Sequence, residues 1–123
     1  MFFQGIEMAS SKTDLMELAK RETKLVEIAG KEFRVQSLTD HERAMWEVDC
    51  LNESGERDPV AMESMRPRLI VKCLVDDGGN RLFTDEEAED VAGLPASVTV
   101  KLFTVCSDLC GMDDDDKKDA AKN

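Results

Sequence analysis

The chain has 123 residues, enough for one domain with a modest hydrophobic core. Acidic residues outnumber basic ones by 27 to 16, and the formal net charge of −11 argues against direct binding of nucleic acid or of an anionic membrane. No secretory leader begins the sequence, so we expect a cytoplasmic protein whose four cysteines are reduced.

The N-terminal part of the chain is predicted to hold a tail, a short helix and a β-hairpin. Residues 1–12 are predicted to be disordered, and Phe3-Gln4-Gly5 resembles the end of a protease site used in expression vectors. Thr13 and Asp14 predict a helix cap. Residues 24–28 and 32–36 then alternate apolar and polar side chains around Ala29-Gly30, which is typical of a hairpin. The predicted buried face holds Val26, Ile28, Phe33 and Val35.

Two helices are predicted in the middle of the chain. Thr39 and Glu42 have the spacing of a capping box, which predicts a helix that continues to Leu51. Asp58-Pro59 predicts the start of a second helix, which Pro67 should kink or restart near Arg66. This second helix is apolar on most sides through residue 75, so we expect it to be central in the core.

The C-terminal part is predicted to be helical. A turn at residues 76–80 leads to a second capping box, Thr84 to Glu87, and to a short helix that ends at Gly93. Residues 96–110 contain β-branched residues that favour a strand, but their large apolar residues recur with helical spacing. We therefore predict a helix there, with Gly111 as its C-cap.

Together these elements predict a mainly α, α+β fold. An N-terminal β-hairpin should pack on a small bundle of about four helices, because a lone hairpin is marginal in water. The single globular domain is expected to span residues 13–112, with residues 113–123 as a disordered acidic tail.

No residue pattern in the chain predicts catalysis. Cys106 and Cys110 would share a face of the last helix, but at its C-terminal end the helix dipole opposes a thiolate, so we interpret them as small apolar side chains. His41 is the single histidine, and residues 76–85 fit the calcium-loop pattern in neither register. We predict no enzyme activity, no metal, no cofactor and no small-molecule substrate.

Two stretches of the chain together carry a family resemblance. The first runs from Val26 to Val35 and on through residues 38–43; the second comprises residues 68–87 and Leu94-Pro95-Ala96. In this order they resemble the tail assembly chaperones of long-tailed, siphovirus-type phages and prophages. The resemblance covers about residues 23–112. It implies a protein that binds the apolar tape measure protein, keeps it soluble, helps to recruit tail tube subunits and is absent from the mature virion. It also implies possible self-association, location in the host cytoplasm and, for many genes of this family, a longer frameshifted product.

Two sets of side chains are candidates for contact with such a partner. One is the large aromatic Trp46, since tryptophan is enriched in binding hot spots. The other is an apolar stripe on the last helix with Leu102, Val105 and Leu109, and with Phe103 beside it. For both sets, a place in the hydrophobic core is the first interpretation and contact with a partner the second. The alternative function is an acidic phage-encoded inhibitor or DNA mimic that acts on a host DNA-binding enzyme. It would need carboxylates clustered on one face, whereas here acids are mixed with Lys and Arg in most segments.

Overall fold

The computed structural model describes residues 8–51, 54–56, 59 and 63–112. These residues form five α-helices and a three-stranded antiparallel sheet of order β1-β2-β3, which confirms the predicted α+β fold. The elements in chain order are α1 Lys12–Met16, β1 Thr23–Ile28, β2 Lys31–Gln36, α2 Asp40–Asp49, α3 Met65–Cys73, β3 Leu74–Val75, α4 Ala88–Ala92 and α5 Ala96–Leu109. Short 3-10 turns at Glu17–Ala19 and Asp85–Glu87 follow α1 and precede α4, respectively.

The predicted hairpin is confirmed. Its strands pair from Thr23↔Gln36 to Ile28↔Lys31, and the two-residue turn holds Ala29 at φ 54° and Gly30 at φ 78°. Two successive left-handed residues match the right-handed twist of the strands, as a type I′ turn does. Val26 and Val35 are buried, with Ile28 and Phe33 packed beside them, so the predicted face is the buried one.

The third strand is a correction to the prediction. Leu74 and Val75 were predicted to extend the central helix, but the backbone becomes extended at Leu74 (ψ 124°) and the two residues pair with Val35 and Arg34. The strand then reverses because the carboxylate of Asp76 accepts the N–H groups of Gly78 and Asn80, at 2.8 and 3.0 Å. A free sheet edge on β2 is thereby paired, so its main-chain groups gain partners within the sheet.

Helix α3 forms the centre of the core, as predicted. Leu69, Ile70, Val71 and Cys73 are at most 1% exposed, and the helix packs against α2, α4 and α5. Pro67 lies in the first turn of α3, where main-chain N–H groups have no helical partner, so the proline removes no hydrogen bond. The predicted start of this region at Asp58 lies outside the described residues.

Helix α1 begins earlier than predicted. Its N-cap is Ser11 instead of Thr13, and a reciprocal capping box joins Ser11 to Asp14 through bonds of 3.0 and 3.2 Å. Ser11 is the N-cap because its spacing to Asp14 lets the two side chains accept two main-chain N–H groups at once. Every residue from Met8 to Leu25 is exposed, so this segment makes no contribution to the core.

The last helix confirms the choice of helix over strand for residues 96–110. It ends in a Schellman motif, in which Gly111 has φ 75° and donates to Asp108, while the Met112 N–H donates to Ser107 at 3.0 Å. Met112 is 6% exposed and closes the end of the core beneath the helix. Of the predicted tails, residues 1–7 of the N-terminal tail (1–12) and the whole of 113–123 lie outside the described residues.

Candidate functional site

The side chains predicted to contact a partner lie in or against the core. Trp46 is 6% exposed, and its indole N–H donates to the main-chain oxygen of Met65 at 2.9 Å. Leu102 and Phe103 are 3% and 8% exposed. Val105 and Leu109 are half-buried against the same cluster. These side chains present little surface in this conformation, and their contact with a partner stays a prediction.

A different apolar surface is exposed on α2. Met45, Val48 and Leu51 are 44%, 56% and 38% exposed, and Ala44 is exposed beside them. Ala44, Val48 and Leu51 follow one another at intervals of four and three residues, so they form one row on the helix. The Leu51 N–H still donates to the Val48 oxygen at 3.0 Å, which continues the turn as far as Leu51. We name these four residues the α2 stripe.

Helix α2 has apolar residues on two opposite sides. Trp46 and Cys50 are separated by one turn and are both buried, whereas Val48 lies between them in sequence and projects to solvent. A helix with one buried face normally carries polar residues on the other. The second apolar row therefore needs an explanation other than core packing, and a contact with another helix is the ordinary one.

Polar contacts hold α2 in place at both ends. At its start, Thr39 accepts the Glu42 N–H at 3.2 Å, and the Glu42 carboxylate accepts the Thr39 N–H at 2.9 Å, as the capping box predicted. At its end, the guanidinium of Arg68 on α3 donates to the main-chain oxygen of Asp49. Arg43 also donates to the main-chain oxygen of Cys110 at 3.3 Å, beyond the end of α5. The α2 stripe is thus presented on a helix fixed to α3 and α5.

A second apolar surface lies on α1 and its 3-10 extension. Leu15, Met16 and Leu18 are 65%, 59% and 76% exposed, and we name these three residues the α1 stripe. The sequence predicted a short helix here but indicated no function for its apolar residues. The signal that could have identified them is a well-capped helix of only five residues, because such a helix is marginal in water without a surface to pack on.

The cysteines are placed for packing and not for nucleophilic chemistry. Cys73 and Cys106 are fully buried, and Cys110 is half-buried at the end of α5. The hydrogen bond with the Cys106 thiol is the main cause that raises the pKa of Cys73. The hydrogen bond with Cys73 is likewise the main cause that raises the pKa of Cys110, and both values lie far above the usual range. Thiolates are therefore disfavoured, which supports the interpretation of these side chains as small apolar groups.

Charged side chains around β3 and α3 are joined in ion pairs. Asp85 accepts from Arg81 at 2.8 Å and from Lys72 at 3.2 Å, and the hydrogen bond from Arg81 is the main cause that lowers the pKa of this carboxyl. In the described part of the chain, no three His, Cys, Asp or Glu side chains are arranged to hold a metal ion. No helix within the same residues has the length and apolar character needed to cross a membrane.

The fold is similar to that of a solved structure. The tail assembly chaperone of bacteriophage HK97 matches with a TM-score of 0.55 and 20% sequence identity, over 80% of this chain and 98% of that one. At this identity the likeness shows a common fold, and it confirms the family resemblance of the sequence at that level. Comparisons with protein-family models and with curated proteins gave no match.

Proposed function

We propose that the chain is a phage tail assembly chaperone that acts by binding and not by catalysis. The observation that supports this most is the fold shared with the HK97 tail assembly chaperone along almost the whole length of that protein. The residues on which the family resemblance was based, from the hairpin through α2 and from α3 to the start of α5, lie within the same folded unit. The exposed α2 stripe adds a surface suited to an apolar partner.

The partner that this surface fits is an apolar helix, and we propose the tape measure protein as its source. An amphipathic helix binds through side chains at intervals of three and four residues, which is the spacing of Ala44, Val48 and Leu51. The net charge of −11 would keep the complex of chaperone and apolar client in solution. On this proposal the chain acts in the host cytoplasm, helps to bring tail tube subunits to the tape measure protein and is absent from the mature virion.

The test is co-expression of the chain with an apolar helical fragment of the tape measure protein encoded by the same phage. The wild-type chain is expected to hold the fragment in the soluble fraction and to co-purify with it. Val48→Glu should lose most of this effect, because a carboxylate would enter the apolar contact. Val100→Glu on α5 is the matched control, since Val100 is 43% exposed and lies outside the α2 stripe.

The outcomes separate the function from its proposed site. A wild-type chain that leaves the fragment insoluble and shows no binding by calorimetry would contradict the chaperone function. Equal activity of Val48→Glu and Val100→Glu, with a soluble fragment in both, would keep the function but remove the α2 stripe as the binding surface.

A further inference from the structure

We propose that the free edge of strand β1 binds an extended segment of a partner protein, which adds to the three-stranded sheet as one more strand. The segment that fits this edge has apolar residues along one face and a carboxylate between them. The surface is separate from the α2 stripe, and its occupation by such a segment does not depend on the proposed function.

The pairing of β1 with β2 determines which main-chain groups face the free edge. In an antiparallel ladder, residues that exchange hydrogen bonds alternate with residues whose N–H and C=O groups point away from the partner strand. The two-residue turn makes Ile28 and Lys31 a hydrogen-bonded pair. The outward main-chain groups of β1 therefore belong to Thr23, Leu25 and Glu27.

Two observations agree with this alternation. Arg34 lies opposite Leu25 and pairs with Val75 of β3 on its other side. The Glu27 oxygen accepts a hydrogen bond from the Lys101 ammonium at 2.6 Å, from outside the sheet. In the described part of the chain, the remaining outward N–H and C=O groups of β1 have no hydrogen-bond partner. They are free to pair with another main chain.

The free edge of β1 is regular and open to solvent. Natural proteins usually protect an edge strand with a bulge, a proline or a covering element. β1 keeps an unbroken register with β2 over its six residues and contains no proline. Thr23, Lys24 and Leu25 are exposed, and Leu25 is 45% exposed. The net charge of −11 opposes pairing of this edge with a second copy, so a different protein is the favoured source of the strand.

Helix α5 forms the wall beside the free edge and determines the chemistry of the segment. Val98 and Val105 are half-buried and lie one turn on either side of Lys101, in the row whose lysine reaches β1. Every second side chain of an added strand would face this row. Apolar residues there would cover the valines, and a carboxylate between them would accept the N–H groups that Lys101 does not give to Glu27. Val105 is also one of the partner contacts predicted from the sequence.

A short synthetic peptide tests the edge directly. The probe is the acetylated and amidated peptide Thr-Val-Thr-Asp-Thr-Val-Thr, whose valines and aspartate would face α5 and whose threonines would bond to β1. In NMR spectra of the isotope-labelled chain, the amide signals of Leu25 and Glu27 should shift on titration. The Val26 amide, which is bonded to β2, should change little. Because the contact is far smaller than a standard interface, we expect a dissociation constant of about 1 mM.

Matched controls remove the main-chain hydrogen bonds from either side. The same peptide N-methylated at its threonines cannot donate to β1 and should not bind. Leu25→Pro removes an outward N–H that makes no bond to β2, which an edge strand tolerates, and it should abolish binding. Leu25→Thr keeps this N–H and should bind as the wild type does. If circular dichroism shows that Leu25→Pro is unfolded, the N-methylated peptide gives the same test on the wild-type chain.

Lys101→Met tests the preference for a carboxylate. Methionine keeps the apolar part of the side chain and removes the ammonium, so the peptide should bind about threefold more weakly. A peptide with asparagine in place of aspartate should bind the wild type and Lys101→Met alike. Equal affinity of the wild type for the aspartate and asparagine peptides would overturn the acidic preference.

Three results would overturn the proposal itself. One is the absence of shifts at Leu25 and Glu27 with about 5 mM peptide, well above the expected dissociation constant. Another is equal binding of the N-methylated peptide, since main-chain pairing would then play no part. The third is a shift of the same amides with protein concentration alone, because a second copy would then be the occupant of the edge.

Discussion

Replacement of Trp46 by phenylalanine tests whether this side chain belongs to the core or to a binding surface. The indole is 6% exposed and its N–H donates to the Met65 oxygen at 2.9 Å. Loss of that hydrogen bond should cost about 1 kcal/mol. The smaller ring leaves part of the site between α2 and α3 unfilled, which should cost about 1–2 kcal/mol more. The expected decrease in the free energy of unfolding is therefore about 2–3 kcal/mol.

Urea unfolding followed by circular dichroism measures this loss. Fluorescence is unsuitable because Trp46 is the single tryptophan of the chain and disappears in the variant. Met45→Ala is the matched control on the same helix, since Met45 is 44% exposed, and it should change stability by no more than about 0.5 kcal/mol. A loss for Trp46→Phe as small as that of the control would refute the core assignment. If the stable variant also failed to bind the tape measure fragment, the sequence-based assignment of Trp46 as a contact residue would gain support.

Two further predictions concern the end of α5 and the ion pairs that Asp85 forms with Arg81 and Lys72. Gly111 has φ 75° and a Cβ there would meet no atom within 4 Å, so Gly111→Ala should lose about 1 kcal/mol through backbone strain alone. Gly93→Ala is the control at an ordinary φ of −78°, and equal urea midpoints for the two variants would contradict this. For Asp85, the hydrogen bond from Arg81 holds the folded pKa below the ordinary value of about 3.9. Its stabilising effect is therefore full above about pH 5 and is lost as the pH falls through the folded pKa. Asp85→Asn should lose less stability than the wild type between about pH 5 and pH 2, and parallel profiles would rule out this contribution.

The features that could be predicted from sequence are those fixed by a few neighbouring residues. The capping box of Thr39 and Glu42, the Ala29-Gly30 turn and the stop at Gly111 are each specified within a short window of sequence. Strand β3 could not be predicted in this way. Val75 pairs with Arg34, 41 positions away, and Leu74 and Val75 simply continue the apolar run of α3. The unpaired edge of β2 favours the extended backbone there, and the Leu82 N–H also donates to the Leu74 oxygen at 3.1 Å.

The candidate surface was predicted less well than the fold, because exposure depends on packing. Helix α2 has large apolar residues in two rows, and the sequence does not state which row meets α3. The size of Trp46 suggested a binding role, but size also favours burial, and in the structure Trp46 faces the core while Val48 faces solvent. The row on α5 that suggested a binding stripe is held against α3 and the sheet, where Leu102 is 3% exposed.

On the proposed function, the small size of the α2 stripe fits a long client that binds several copies of the chain. One contact of this area is weak, but copies bound side by side along one apolar helix gain affinity through high effective concentration. The net charge of −11 on each copy opposes dense packing of the bound copies. A balance of many weak contacts against mutual repulsion can be reversed stepwise, since each departing copy breaks only its own contacts. On the proposed function, this property would let tail tube subunits replace the chaperone along the tape measure protein without an energy source.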